Sequence, residues 1–159
     1  MSQVATATVL ASKSLPSVVK AAAPRRRWFG GSKDEYHAVK AEQGKTLPAF
    51  NGDGMYLVTA LVWLEERGLD LLSSSHDADA STLTEARGAT HIILEHAHRA
   101  HLPAMNSAVG SEDDLRQYYE AFHEVEDPPA GRELQTAMSY LRSLLDELKG
   151  DEIVLIEVG

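Results

Sequence analysis

The chain begins and ends with a short segment that has the composition of a β-strand. QVATATVLAS, near the start, is rich in β-branched residues, and EIVLIEVG stands at the end of the sequence. A single strand leaves its backbone amides and carbonyls without partners, so two such segments in a mostly helical chain are expected to pair. We therefore predict that residues 3–11 and 152–158 belong to one small sheet, which packs on the final helix.

The sequence between these two strands carries the patterns of α-helices. MYLVTALVWL, residues 55–64, is apolar on all sides except Thr59, which is typical of a helix buried all round. Residues 132–149 place leucine, alanine and methionine on one face at the 3.6-residue helical period. Three shorter helices are predicted to open near Pro16, Ser32 and Ser111. The prediction is a single globular domain, residues 1–159, with a mixed α+β, mostly helical fold of five or six helices.

One further helix is predicted where four of the seven histidines stand together. Thr82 and Glu85 have the spacing of a capping box, and Pro103 is a stop signal, so this helix is expected to end near Leu102. It includes HIILEHAHRAH, residues 91–101.

The predicted helix gives the histidines two different environments. His91, Glu95 and His98 align on the face away from the core, with His101 nearby, whereas His96 faces the core. Imidazoles and a carboxylate at this spacing are candidate zinc ligands. The competing interpretation is a solvated face, because second-shell partners and further ligands are not evident, and this interpretation is the one we predict.

Charge is distributed unevenly along the chain. Residues 1–50 hold eight Lys/Arg and three Asp/Glu, whereas residues 51–159 hold seven and 21. The acidic body would repel phosphates, so nucleic acid is not expected as a partner. The expected partner is another protein, of basic character. Residues 1–33 contain no acidic residue, and a cytoplasmic location is predicted with organelle targeting through this segment as the alternative.

The basic segment PRRRWFGG is the second candidate site. Arg25, Arg26, Arg27 and Trp28 could bind an anion or a partner, and the competing interpretation is that these arginines dock on the acidic body.

Other classes of chemistry lack the residues that they need. The chain has no cysteine, which excludes disulfides and thiolate metal sites, and no apolar run is long enough to predict a membrane span. No catalytic constellation is recognisable, so the prediction leans away from an enzyme and implies no cofactor. Two hypotheses follow: a small, acidic, soluble protein-binding or regulatory domain, of the kind an immunity protein would be, or a zinc-dependent enzyme or metal-binding protein that uses the histidine face.

Overall fold

The computed structural model describes residues 2–23 and 34–159 of the chain. Within these residues it contains four β-strands, seven α-helices and two short 3₁₀ helices. The strands are β1 (Ala5–Ala11), β2 (Gly44–Thr46), β3 (Thr90–Glu95) and β4 (Glu152–Val158). The helices are α1 (Leu15–Ala22), α2 (Tyr36–Gln43), α3 (Gly54–Glu65), α4 (Asp77–Arg87), α5 (Leu102–Ala108), α6 (Glu112–His123) and α7 (Ala130–Glu147). The 3₁₀ helices span Ser12–Ser14 and His96–His101.

The two terminal strands pair with each other at the centre of one antiparallel sheet. The strand order is β2-β1-β4-β3, and β1 pairs with β4 from Ala5 opposite Val158 to Ala11 opposite Glu152. This confirms the predicted sheet and the mixed α+β, mostly helical fold. Because β4 has neighbours on both sides, its backbone groups are satisfied along its length.

The larger core lies between one face of the sheet and four helices. Alternate residues of β1, β3 and β4 supply the apolar surface, as the two-residue period of a strand requires. Helices α3, α5, α6 and α7 cover it, and Leu57, Leu61 and Leu64 of α3 are completely buried. The predicted apolar stripe of α7 is also buried: Leu134, Ala137, Met138, Leu141, Leu144 and Leu145. The sheet therefore packs against the final helix as predicted.

The smaller core lies on the opposite face of the sheet. Helices α1, α2 and α4 cover this face, and Leu15 and Val18 of α1 pack with Leu83 of α4 against Ile153 and Leu155. Pro16 stands in the first turn of α1, as predicted from its lack of an amide hydrogen. The molecule is thus a sheet with helices on both faces.

The predicted helix over residues 82–102 is wrong. Helix α4 ends at Arg87 because Gly88 adopts a left-handed conformation (φ 68°), and its amide donates to the carbonyl of Thr84. Thr82 lies inside α4, and its hydroxyl donates to Ala78 instead of capping a helix. After Gly88 and Ala89, residues Thr90–Glu95 form β3, which pairs with β4. The predicted helix is therefore divided into the end of α4, β3, the 3₁₀ helix and the first residue of α5.

Among the described residues, no helix is long and apolar enough to cross a membrane.

Candidate functional site

The histidine segment does not form the helix face on which the candidate zinc ligands were expected to align. His91 and Glu95 lie on β3, and His98 and His101 lie in the following 3₁₀ helix. His91 and His98 are each only 5% exposed, so the prediction that they face solvent is wrong. His96, which was expected in the core, is exposed. All of these differences follow from the change from a helix to a strand at residue 90.

His98 holds the open edge of the sheet. Its Nδ1 accepts a hydrogen bond from the amide of Glu95 at 3.0 Å, and its Nε2 lies 2.8 Å from the carbonyl oxygen of Ser73. Since a carbonyl can only accept, the proton is on Nε2. Four residues earlier, the amide of His91 donates to the hydroxyl of Thr84 at 3.0 Å. Both amides point away from β4, so side chains cover an edge that could otherwise pair with another strand.

His91 is also fully engaged within the protein. Its Nδ1 lies 2.9 Å from the carbonyl oxygen of Ala89, and its Nε2 lies 3.1 Å from the hydroxyl of Tyr36. Both ring nitrogens of His91 and of His98 thus have partners, which leaves neither imidazole free to bind zinc. In the part of the chain that the structure describes, no three metal-ligating side chains come together. The geometry gives no support to the zinc hypothesis.

A buried polar cluster joins α2 to β3 and β4. Glu157 of β4 stands directly opposite His91 of β3, and one oxygen of its carboxylate accepts from Lys40 at 2.6 Å and from Tyr36 at 3.1 Å. The Tyr36 hydroxyl therefore bridges an imidazole and a carboxylate while the whole residue is buried. The phenol has a single proton, so beside a neutral imidazole it is donated either to Nε2 of His91 or to the Glu157 carboxylate, which Lys40 pairs in both cases.

The cluster shifts the pKa values of its members. Burial lowers the pKa of His91, and this outweighs the opposing effects of the Ala89 carbonyl and the Glu157 charge. Burial alone would raise the pKa of Glu157. The hydrogen bond and charge of Lys40 outweigh burial and hold the pKa of Glu157 below its usual value. Burial and the neighbouring Glu157 carboxylate raise the pKa of Tyr36. At neutral pH the cluster therefore contains a neutral imidazole, a neutral phenol and a lysine–carboxylate ion pair.

Arg87 extends this cluster towards the surface. Its guanidinium lies 4.7 Å from the centre of the Tyr36 ring and donates to Asp34 at 2.8 Å, which lowers the pKa of Asp34. Lys40 lies at the same distance from the ring centre. Two cations thus contact one aromatic ring, an arrangement that fixes both long side chains.

The second candidate site of the sequence, Arg25, Arg26, Arg27 and Trp28, lies outside the described residues. Its proposed role in binding an anion or a partner stays a prediction.

A different surface stands out on the other side of the sheet, at the end of α6. Phe122 is 53% exposed and Val125 is 48% exposed. Helix α6 begins as predicted, with Ser111 accepting from the amide of Asp114, but it packs on its neighbours through Leu115 and Tyr119. The Phe122 side chain is therefore directed outwards.

Neighbouring aromatic groups hold Phe122 in place. Its ring stacks on that of Tyr118, with centres 5.9 Å apart, and Tyr118 packs edge-on against Trp63 of α3. The Tyr118 hydroxyl donates to Glu66 at 3.0 Å, and Arg67 stacks over Trp63. An exposed aromatic side chain on a rigid support is a common feature of protein interfaces.

The surroundings of Phe122 are strongly acidic. Residues 112–127 contain seven acidic residues and one arginine. That arginine, Arg116, already donates to Asp113 and Glu120, at 2.6 and 2.8 Å. Glu124 and Glu126 are exposed, and Glu124 ends the helix in a left-handed conformation, φ 55°.

Comparison with known proteins gave no relatives: no protein-family model, curated protein or solved structure matches this chain.

Proposed function

We propose that the protein binds another protein through a surface at the end of α6. We name this the α6 surface and define it by Tyr118, Phe122, Glu124, Val125 and Glu126. The observation that carries the proposal is the exposure of Phe122 and Val125, three residues apart in a segment that also exposes Glu124 and Glu126. Among the described residues they are two of the three large apolar side chains that are exposed, the third being Val4.

Burial of these side chains in a complex would supply binding energy. Full burial of a valine or phenylalanine side chain contributes about 1.5–3 kcal/mol. Phe122 is already about half buried in the free protein, so burial of its exposed part in a complex contributes only part of this amount. Its stacking on Tyr118 limits its motion, which reduces the entropy lost on binding. A few such anchors dominate the affinity of most protein interfaces.

The charge around the α6 surface favours a basic partner. Glu124 and Glu126 follow Phe122 in the sequence and are exposed. The pairing of Arg116 with Asp113 and Glu120 leaves the other carboxylates of residues 112–127 to set the local potential. Such a surface attracts a positively charged protein over several ångströms and repels phosphate groups. The proposed role is that of a regulatory or neutralising protein, which covers a basic surface of its target.

The test compares two charge-reversal variants with equal changes in net charge. Glu124→Lys with Glu126→Lys alters the α6 surface, and Glu42→Lys with Glu85→Lys makes the same change on α2 and α4, on the opposite side of the sheet. Immobilised wild type and both variants are incubated with a lysate of the cells that make the protein. Any retained protein is then identified, purified and titrated against each of the three by calorimetry.

We expect direct binding by the wild type and by the α2/α4 variant, at an affinity that falls as salt is added, and at least tenfold weaker binding by the α6 variant. Circular dichroism and urea midpoints of the variants establish that each is folded. Capture of no protein, or equal affinity for all three forms, would contradict the proposal.

A further inference from the structure

The second face of the sheet changes from apolar to polar towards one end. Leu10, Ile153 and Leu155 lie under α1 and α4, whereas the far end presents Thr6 and Glu157, which stand opposite each other on β1 and β4. The helices do not cover this end completely. A cavity of about 500 Å³ remains there, within the range of small-molecule binding sites. Its polar lining comes from β1, β2, β4, α2 and α4, and consists of Thr6, Thr8, Thr46, Glu157, His37, Lys40 and Arg87.

Three hydroxyl groups in this cavity have unused hydrogen-bonding capacity. Thr6 and Thr8 of β1 and Thr46 of β2 all line it, and Thr8 stands opposite Thr46 in the sheet. Within the described residues, none of the three side chains makes a hydrogen bond, although Thr8 is only 2% exposed. Threonine hydroxyls so placed need a partner that enters the cavity, either water or a ligand.

The charged groups of the cavity also offer more donors than acceptors. Lys40 uses one of its three N–H groups for Glu157, and its side chain is 12% exposed. Arg87 donates through one terminal nitrogen to Asp34, and its Nε is buried without a partner among the described residues. Among the described residues of the lining, Glu157 carries the one carboxylate, and Lys40 and Tyr36 already donate to it.

We propose that this cavity binds a small organic anion with one carboxylate and at least one further oxygen. The carboxylate lies beside Lys40 and Arg87, and the other oxygen accepts from the threonine hydroxyls of β1. In the lining that the structure describes, Lys40 and Arg87 stand beside one acidic side chain, Glu157, while Asp34, which pairs with Arg87, lies outside this lining, in a protein whose net charge is −9. Because Glu157 repels a second negative charge, a monoanion is preferred over a dianion. This site is separate from the α6 surface, which lies on the other side of the sheet.

The test uses lactate and inorganic phosphate as probes. Each is titrated to millimolar concentration into ¹⁵N-labelled protein, with chloride at matched ionic strength as the reference, and amide chemical shifts are followed. We expect saturable shifts with lactate at Thr6, Thr8 and Ala89, and weaker binding of phosphate. The principal variant is Thr6→Val with Thr8→Val, which keeps the shape of the strand and removes two donors. We expect at least a fivefold loss of lactate affinity in it.

Two further variants complete the experiment. Thr82→Val removes an exposed hydroxyl of α4 and should bind lactate as the wild type does. Lys40→Met should lower the affinity more than tenfold, and because it also breaks the ion pair with Glu157, its folding is checked by circular dichroism. The absence of saturable shifts with lactate, tighter binding of phosphate, or unchanged affinity in the double valine variant would overturn the proposal. Shifts confined to residues 25–28 would also overturn the proposal, because they would assign anion binding to the arginine segment.

Discussion

Replacement of His98 by alanine tests whether the His98 side chain stabilises the exposed edge of β3. The imidazole is 5% exposed and makes two hydrogen bonds, with the Glu95 amide and with the Ser73 carbonyl. Two ordinary hydrogen bonds contribute about 1–3 kcal/mol together, and the space left by a buried ring adds to the loss. We therefore expect the free energy of unfolding to fall by about 2–4 kcal/mol.

Urea denaturation, followed by tryptophan fluorescence and circular dichroism, measures this loss. His96→Ala is the matched control, because His96 stands two residues away and is exposed, and it should change the stability by less than about 0.5 kcal/mol. His98→Asn should give an intermediate result, because the asparagine oxygen can accept from Glu95 while the bond to Ser73 is lost. Uncovering the edge of β3 should also make the alanine variant more prone to aggregate.

Hydrogen exchange gives an independent reading of the same contact. The Glu95 amide should exchange faster in His98→Ala than in the wild type, since its acceptor is gone. Equal stability of His98→Ala and His96→Ala, together with unchanged exchange at the Glu95 amide, would contradict the stabilising role of His98.

Other changes test the core, the buried cluster and one close helix contact. Leu61→Ala, at a fully buried position of α3, should cost about 2–5 kcal/mol in a denaturant titration, and a loss under about 1 kcal/mol would show that α3 is peripheral. Because the pKa of His91 is lower in the folded than in the unfolded protein, the unfolded state binds more protons, and stability should decline as the pH falls below 6.5. His91→Gln should flatten this decline in urea midpoints measured across the range, and an unchanged slope would assign it elsewhere. Gly131→Ala should lower the melting temperature, because the added methyl group would collide with the backbone of Glu112, whereas Gly150→Ala, in open space, should not; equal effects would contradict this contact.

The elements that sequence reasoning predicted correctly are those whose pattern is complete within one segment. The stripe of α7 repeats over 18 residues, and α3 is apolar nearly all round, so both patterns identify a helix without knowledge of its neighbours. The pairing of β1 with β4 followed from the need of two isolated strands for partners.

Residues 90–95 were predicted wrongly because a short apolar run fits both a helix and a strand. Ile92 and Ile93 are buried on opposite faces of the sheet, an alternation that β4 imposes by pairing from a position some 60 residues later. The local signal for the break was Gly88, which takes the left-handed conformation that ends α4. With the helix wrong, the positions of the histidines were wrong as well.

The buried cluster left almost no signal in the sequence. Tyr36, His91 and Glu157 come from α2, β3 and β4, and only the sheet register brings them together. One signal was available: Glu157 interrupts the apolar run of a buried strand, and a carboxylate at such a position needs a partner. The exposure of Phe122 could not be predicted either, because it depends on which face of α6 packs against α3 and α7.

The central claim is that the α6 surface is a protein interface, and the affinity of Phe122→Ser for the purified partner tests it most directly. Val4→Ser is the matched control, because Val4 is another exposed apolar residue, 58% exposed, at the start of the sheet. Calorimetry should give a dissociation constant at least tenfold higher for Phe122→Ser, a loss of about 1.4 kcal/mol, and an unchanged constant for Val4→Ser. Equal constants for Phe122→Ser and the wild type would contradict the claim.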